Sequence, residues 1–225
     1  NTKSHGHKPV VQGTPLVAYA SGCDTTGRFG CELWVNPNVT YLKHGDQSYT
    51  LQAEHVQPVH AETRLFILKV NAPYLQLTIV VAHVPSNTKP EARKAWLKHF
   101  QPTVAQHTID RRPIVLLADL NTVFPTDLDI PSVGPRQTNG HVSDDAGHLA
   151  TTLHQLHLHL PATWPENCRH NNTFATFNIN SRAVTLDYIG VSAAIAVHAN
   201  SAVRHDDFPT FNPNDDHIPI SIAAT

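Results

Sequence analysis

The sequence predicts an α+β or α/β protein in which two β-sheets pack together with helices outside. Three observations predict it. Strand-like apolar runs outnumber helical stretches. The helical stretches fall between strands. Two of the runs, IVLLA and LTIVVA, carry apolar residues on both faces, as strands covered on each side do.

The strands are expected at PLVAYAS (15–21), CELWVN (31–36), RLFILKV (64–70), LQLTIVVAHV (75–84), RPIVLLADL (112–120), AVTLDYIGVS (183–192) and DHIPISIA (216–223). Each is bounded by Gly, Pro, Asn or Asp, the residues that end pairing and start turns. One helix is expected over 89–107. Pro90 and Glu91 suit its first turn, and Trp96, Leu97 and Phe100 share one face, with Pro102 expected to end or kink it. A second helix is expected over 144–160. Leu149, Leu153, Leu156 and Leu160 recur at helical spacing behind Asp144 and Asp145, whose charges suit a helix N-terminus. No repeat or linker interrupts the 225 residues, so residues 1–225 are read as one domain.

Apolar residues make up 40% of the chain, enough for a sizeable core, while charged residues make up only 15% and the net charge is −2. That balance excludes a protein that holds nucleic acid by bulk positive charge. Any role on nucleic acid must rest on a local site. Cys23, Cys31 and Cys168 form no paired framework and read as reduced thiols of an intracellular protein, with a Cys23–Cys31 disulfide left open. No apolar run approaches the roughly 18 residues that span a bilayer, so no membrane role is expected. Residues 1–13 lack the apolar centre of a signal peptide. The chain has no Met, not even at position 1, which suggests a fragment or a processed product.

Four strand ends carry the chemistry. IVLLADLN stops at Asp119 and Asn121, TIVVAHVPSN stops at His83, TLDYIGVS holds Asp187, and NPNDDHIPI holds Asp215, Asp216 and His217. Strands fix polar side chains at their ends, where ligands collect. A single Asp there is ordinarily a cap or a turn residue, but four such ends together are hard to read that way.

The ordered set AHVPS, LLADLN, NNTFATF, TLDYIGVS and DDHIPI resembles the endonuclease/exonuclease/phosphatase family, which includes pancreatic-type DNases, abasic-site endonucleases, retrotransposon endonuclease domains and inositol-phosphate phosphatases. GRFGCELWVN (27–36) resembles an early strand of the retrotransposon-type members. The resemblance runs from about Gly27 to Ile222. It implies an α+β, four-layer α/β/β/α sandwich: two mixed sheets flanked by helices. It also implies roles. His217 is the imidazole at the phosphate, and Asp187 is the carboxylate that hydrogen-bonds it. Asp119 activates or orients the attacking water, and Asn121 positions that water and the phosphate. His83 stands where other members use His or Tyr against the phosphate or leaving group. Thr173 resembles a phosphate-contacting threonine, and Asp216 with Asp119 would ligate Mg2+ (or Mn2+).

The chemistry suits these residue types. A phosphodiester repels nucleophiles until its charge is neutralised. Mg2+ neutralises it and takes one or two carboxylates with water. An imidazole backed by a carboxylate either accepts a proton or, when charged, stabilises the anionic transition state; the residue types suit both.

The family's N-terminal Asn and metal-ligating Glu have no counterpart in this sequence. VVQGT would carry Gly13 in place of that Glu, or the strands that bear these residues are missing, so the domain is expected to be N-terminally truncated and its metal affinity weak. Ala118 replaces a Gly, and Asp215 replaces a Ser.

The expected function is therefore a Mg2+-dependent phosphodiesterase, a DNA-nicking endonuclease of retrotransposon type, with DNA as substrate. A reverse transcriptase domain in the same polyprotein could be its partner, and residence would be intracellular and nuclear. The alternatives are a catalytically inactive remnant serving as a binding or scaffold module, and a phosphatase of the same superfamily, for which the sequence offers no Lys/Arg cluster near these motifs. His148, His154, His157 and His159 could place imidazoles together, but the leucine pattern accounts for that stretch as a core-facing helix. Arg93, Lys94 and Lys98 read as a solvated helix face that in a nuclease could touch the phosphate backbone.

Overall fold

The computed structural model describes residues 6–9, 16–25, 30–135, 141–169, 175–179, 182–206 and 217–225. Its strands are Gly6–Pro9 (β1), Val17–Ala20 (β2), Glu32–Val35 (β3), Thr40–His44 (β4), Gln47–Thr50 (β5), Val56–Glu62 (β6), Leu65–Ala72 (β7), Leu75–His83 (β8), Ile114–Asp119 (β9), Leu158–His159 (β10), Phe177–Ile179 (β11), Arg182–Val184 (β12), Asp187–Ser192 (β13), Val203–Arg204 (β14) and Ile220–Ser221 (β15). The helices are Pro90–His107 (α1) and Ala146–Gln155 (α2).

A six-stranded sheet, in the order β10-β13-β9-β8-β7-β6, carries the architecture. It is mixed: β8 and β9 are parallel, joined by α1, and the other pairs are antiparallel. The side-chain period of two sends alternate residues to opposite faces. On one face Leu65, Ile67, Val80, Ala82, Leu116 and Ala118 meet Leu97, Phe100 and Val104 of α1 and Leu149 and Leu153 of α2. On the other, Phe66, Leu68 and Val70 meet Tyr19, Leu33 and Val35 of an antiparallel sheet, β1-β2-β3. Two packed sheets with helices outside make an α+β sandwich, and both α-helices among the described residues lie on the same face.

Three expectations change. Helix α1 continues through Pro102, which lies on its exposed side; there water can serve the Lys98 carbonyl left without its usual donor. Helix α2 ends at Gln155, well short of residue 160, because His157 adopts a left-handed φ of 56° and the chain turns into strand β10. Leu158 and Leu160 are still buried, but they belong to a strand and the turn after it. Arg93 is no surface residue: it is 3% exposed. All three cysteines are free, and no helix of the described residues is long and apolar enough to cross a membrane.

Candidate active site

Register places the chemistry. His83 is the pairing partner of Asp119 across the parallel β8–β9 ladder, and Asp119 is the partner of Asp187 across the antiparallel β9–β13 ladder. The three therefore form one row across three neighbouring strands. They share the parity of Val81, Leu117 and Ile189 and lie on the sheet face opposite the helices.

His217 reaches this row from the end of the chain. Its backbone bridges Phe177, and the two rings meet edge-on at 4.8 Å. Its Nδ1 lies 2.8 Å from Asp187 Oδ2. Buried Thr176 holds the other side of the carboxylate's strand: its Oγ1 accepts from the backbone N–H groups of Leu186 (3.0 Å) and Asp187 (2.9 Å). The Tyr188 hydroxyl, buried beneath, shares its proton between the carbonyls of Thr122 and Thr185.

Asn121 closes the site on the β9 side. Its backbone stands at φ 47°, a left-handed conformation that Asn tolerates better than most residues. Its N–H donates to Asp119 Oδ1 (2.9 Å), and its amide donates to Asp119 Oδ2 (3.0 Å) and to the Val84 carbonyl (2.9 Å). Asp119 is thus oriented by three polar atoms, the third being His83 Nε2 at 3.6 Å. Asp119, Asp187 and His217 line a cleft of about 410 Å3 whose apolar wall includes Leu117, Ile189 and Ile218.

The electrostatics follow from burial and crowding. Burial and the neighbouring Asp187 push the Asp119 carboxyl up to about 6, against the hydrogen bonds from Asn121. Burial, with the charges of Arg64 and His217, pulls His83 down to about 4, so its ring is neutral near pH 7. Asp119, Asp187 and His217 each offer one ligand atom, all within 4.8 Å of one another. Two carboxylates beside an imidazole, with Asp119 made costlier to ionise by burial and by Asp187, are a donor set that fits a divalent cation.

The structure thus brings together His83, Asp119, Asn121, Asp187 and His217 from four separate stretches of chain. Thr173, Asp215 and Asp216 lie outside the described residues. His148, His154, His157 and His159 belong to neither group of metal-ligating atoms found among those residues.

Two arginines stand where the sequence did not place them, Arg64 beside His83 and Arg93 beneath the loop after β9. Arg64, at the start of β7, donates to the His83 carbonyl (3.3 Å) and accepts the His83 N–H on its own carbonyl (3.0 Å). It brings a positive charge beside Asp119 and Asp24. Arg93 braces the loop after β9. Its guanidinium is bidentate on Asp145 and donates to Thr122 Oγ1 and to the carbonyls of Pro85 (2.8 Å), Leu120 (3.3 Å) and Asn121 (3.2 Å). One signal could have found it: residues 93, 97, 100 and 104 recur at helical spacing on the buried stripe of α1. Arg64 had no comparable signal, because only the β7–β8 ladder brings it to His83.

The endonuclease domain of TRAS1, a telomere-specific non-LTR retrotransposon, superposes with a TM-score of 0.60 at 12% identity, over 92% of this chain and 76% of that one. An AP endonuclease from Archaeoglobus fulgidus gives a TM-score of 0.62 at 14% identity, over 93% and 79%. The 3′ phosphatase NExo from Neisseria, bound to product DNA hairpin, gives 0.58 at 17%, over 93% and 79%.

The chain has the DNase-like fold.

These neighbours are members of the endonuclease/exonuclease/phosphatase superfamily. At such identities the likeness is one of fold. No protein-family model matches the sequence, and no curated protein matches it. In this DNase-like sandwich the row His83–Asp119–Asp187 lies at the C-terminal ends of β8 and β9, where an α/β-type crossover leaves strand ends free to hold a ligand.

Proposed function

We propose that the chain is a metal-dependent phosphodiesterase, an endonuclease that nicks DNA in the manner its resemblance to retrotransposon-type domains suggests. The single observation behind this reading is the His217–Asp187 pair beside Asp119, itself held by Asn121, in one cleft.

The geometry of the described residues supports the following roles. Asp187 accepts from His217 Nδ1 and so leaves Nε2 as the nitrogen available to substrate. Asp119, with its carboxyl raised to about 6, is basic enough near pH 7 to take a proton from water, and the side chain of Asn121 fixes its orientation. Neutral His83 contacts the phosphate or the leaving oxygen as a hydrogen-bonding group. Thr173 is assigned to the phosphate, and Asp119 and Asp216 to Mg2+ or Mn2+. Such an ion would supply charge neutralisation at the phosphoryl oxygens.

DNA is the proposed substrate because the fold neighbours include a retrotransposon endonuclease domain, an AP endonuclease and an enzyme bound to a DNA hairpin. By the same reasoning the proposed setting is nuclear, with a reverse transcriptase domain as partner. Nicking of supercoiled plasmid in Mg2+ or Mn2+ tests the proposal. Nicking is expected, with His217→Ala reducing it by about 10²–10⁴-fold, the usual worth of positioned acid–base assistance. A correctly folded full-length protein that leaves plasmid intact with either ion would point instead to an inactive binding module.

A further inference from the structure

A second group of metal-ligating side chains lies on the opposite face of the six-stranded sheet. It comprises His60 and Glu62 of the edge strand β6 and His99 of α1, whose ligand atoms all lie within 4.8 Å of one another. Glu62 Oε1 stands 3.3 Å from His60 Nε2 and 3.1 Å from His99 Nε2.

A β-bulge builds this cluster. Val56 pairs with Val70 and Pro58 with Leu68, both partners belonging to the core beneath the small sheet. An unbroken ladder would turn residues 60 and 62 to that side as well. The register shifts between Pro58 and His60, so His60 pairs with Ile67 and Glu62 with Leu65, residues of the helix-facing core. The extra residue re-aims both side chains at α1, a recurrent use of bulges. His107, two turns beyond His99 on that helix, brings its ring to 5.3 Å from that of His60.

The cluster is incompletely satisfied as it stands. His60 Nε2 is buried and has no hydrogen-bond partner of acceptable geometry, although Glu62 lies near. A buried ring nitrogen of this kind requires an explanation. A buried ring nitrogen within 4.8 Å of a carboxylate oxygen and a second imidazole nitrogen is explained by a shared cation.

We propose that His60, Glu62 and His99 form a transition-metal site suited to Zn2+, separate from the cleft at Asp119. Two imidazoles and one carboxylate are three of the four ligands of a tetrahedral zinc ion, and solvent fills the fourth position, since Glu62 and His99 are half-exposed. The ion would clip the edge strand of the main sheet to the helix that covers it, and so protect an edge otherwise open to pairing.

The test uses the whole chain carrying Asp119→Asn and His217→Ala, which silence the other group, with Zn2+ as titrant in calorimetry and Co2+ as a visible-absorption probe. One equivalent of Zn2+ is expected, together with a rise in Tm and ligand-field bands from Co2+. Adding His60→Gln and His99→Gln is expected to weaken Zn2+ binding by more than about 100-fold, beyond what loss of an outer-shell partner costs. Glu62→Gln, on an exposed carboxylate, gives the same reading without disturbing the core. Unchanged stoichiometry and affinity in either variant, or no Zn2+ uptake by the parent, would overturn the proposal.

Discussion

Replacing Asp119 with Asn should make the protein more stable while abolishing the proposed plasmid nicking. Asp119 is held beside Asp187 in a largely buried row, and its carboxyl is raised from 3.8 to about 6. Keeping it ionised at pH 7.5 therefore costs about 3 kcal/mol, at roughly 1.4 kcal/mol per pKa unit. Asparagine has the same shape and no charge. It can still accept from the Asn121 N–H, but its own NH2 then faces the Asn121 amide, which also serves the Val84 carbonyl. That lost hydrogen bond costs about 1 kcal/mol. The net gain is about 2 kcal/mol, or roughly 4–8 °C in Tm for a chain of this length. The sign with pH is definite. A raised carboxyl in the folded state contributes stability that is fully present below its ordinary value of 3.8 and lost as pH rises through about 6. The advantage of Asp119→Asn is therefore full above that pH and fades toward pH 4. Thermal unfolding of both proteins in EDTA from pH 4 to 8 measures it. A variant that melts at or below the parent temperature at pH 7.5, or whose advantage does not change with pH, would refute the reasoning.

Other outcomes follow from the same contacts. His83, pulled down to about 4, contributes stability above its ordinary 6.5 that is lost as pH falls through about 4; it opposes Asp119 in that window, and its ring resonances should titrate near pH 4 by NMR. Arg93→Met strands the Asp145 carboxylate and several carbonyls, so urea unfolding should show a loss of about 3–5 kcal/mol. Thr176→Val leaves the Leu186 and Asp187 N–H groups unpaired, which should cost about 1–3 kcal/mol and lower plasmid nicking further than stability alone explains.

Much of the site was legible because strand ends announce themselves. An apolar run that stops at Asp119 or His83 marks both the element and the place where its polar residue sits, whereas Asp187 begins its strand. Arg93 was misread because a positive charge on a helix is ordinarily solvated, and only the 93-97-100-104 spacing argued otherwise. Helix α2 was read too long because leucines at residues 156 and 160 fit a helical period as well as a buried strand and turn.

By itself, the sequence determined most strands of the main sheet, though not its edge strands β6 and β10, as well as the packing of two sheets with helices outside and the polar residues at the ends of β8 and β9. It could do so because periodicity and turn chemistry are local properties of the chain. Tertiary structure alone decided that His83, Asp119 and Asp187 would share one row and that His217 would join it from 30 residues away. It alone turned His60 and Glu62 toward α1 and put Arg64 beside the site. Those placements depend on strand order, register and one bulge, which arise from contacts between distant segments and leave no periodic trace in either partner.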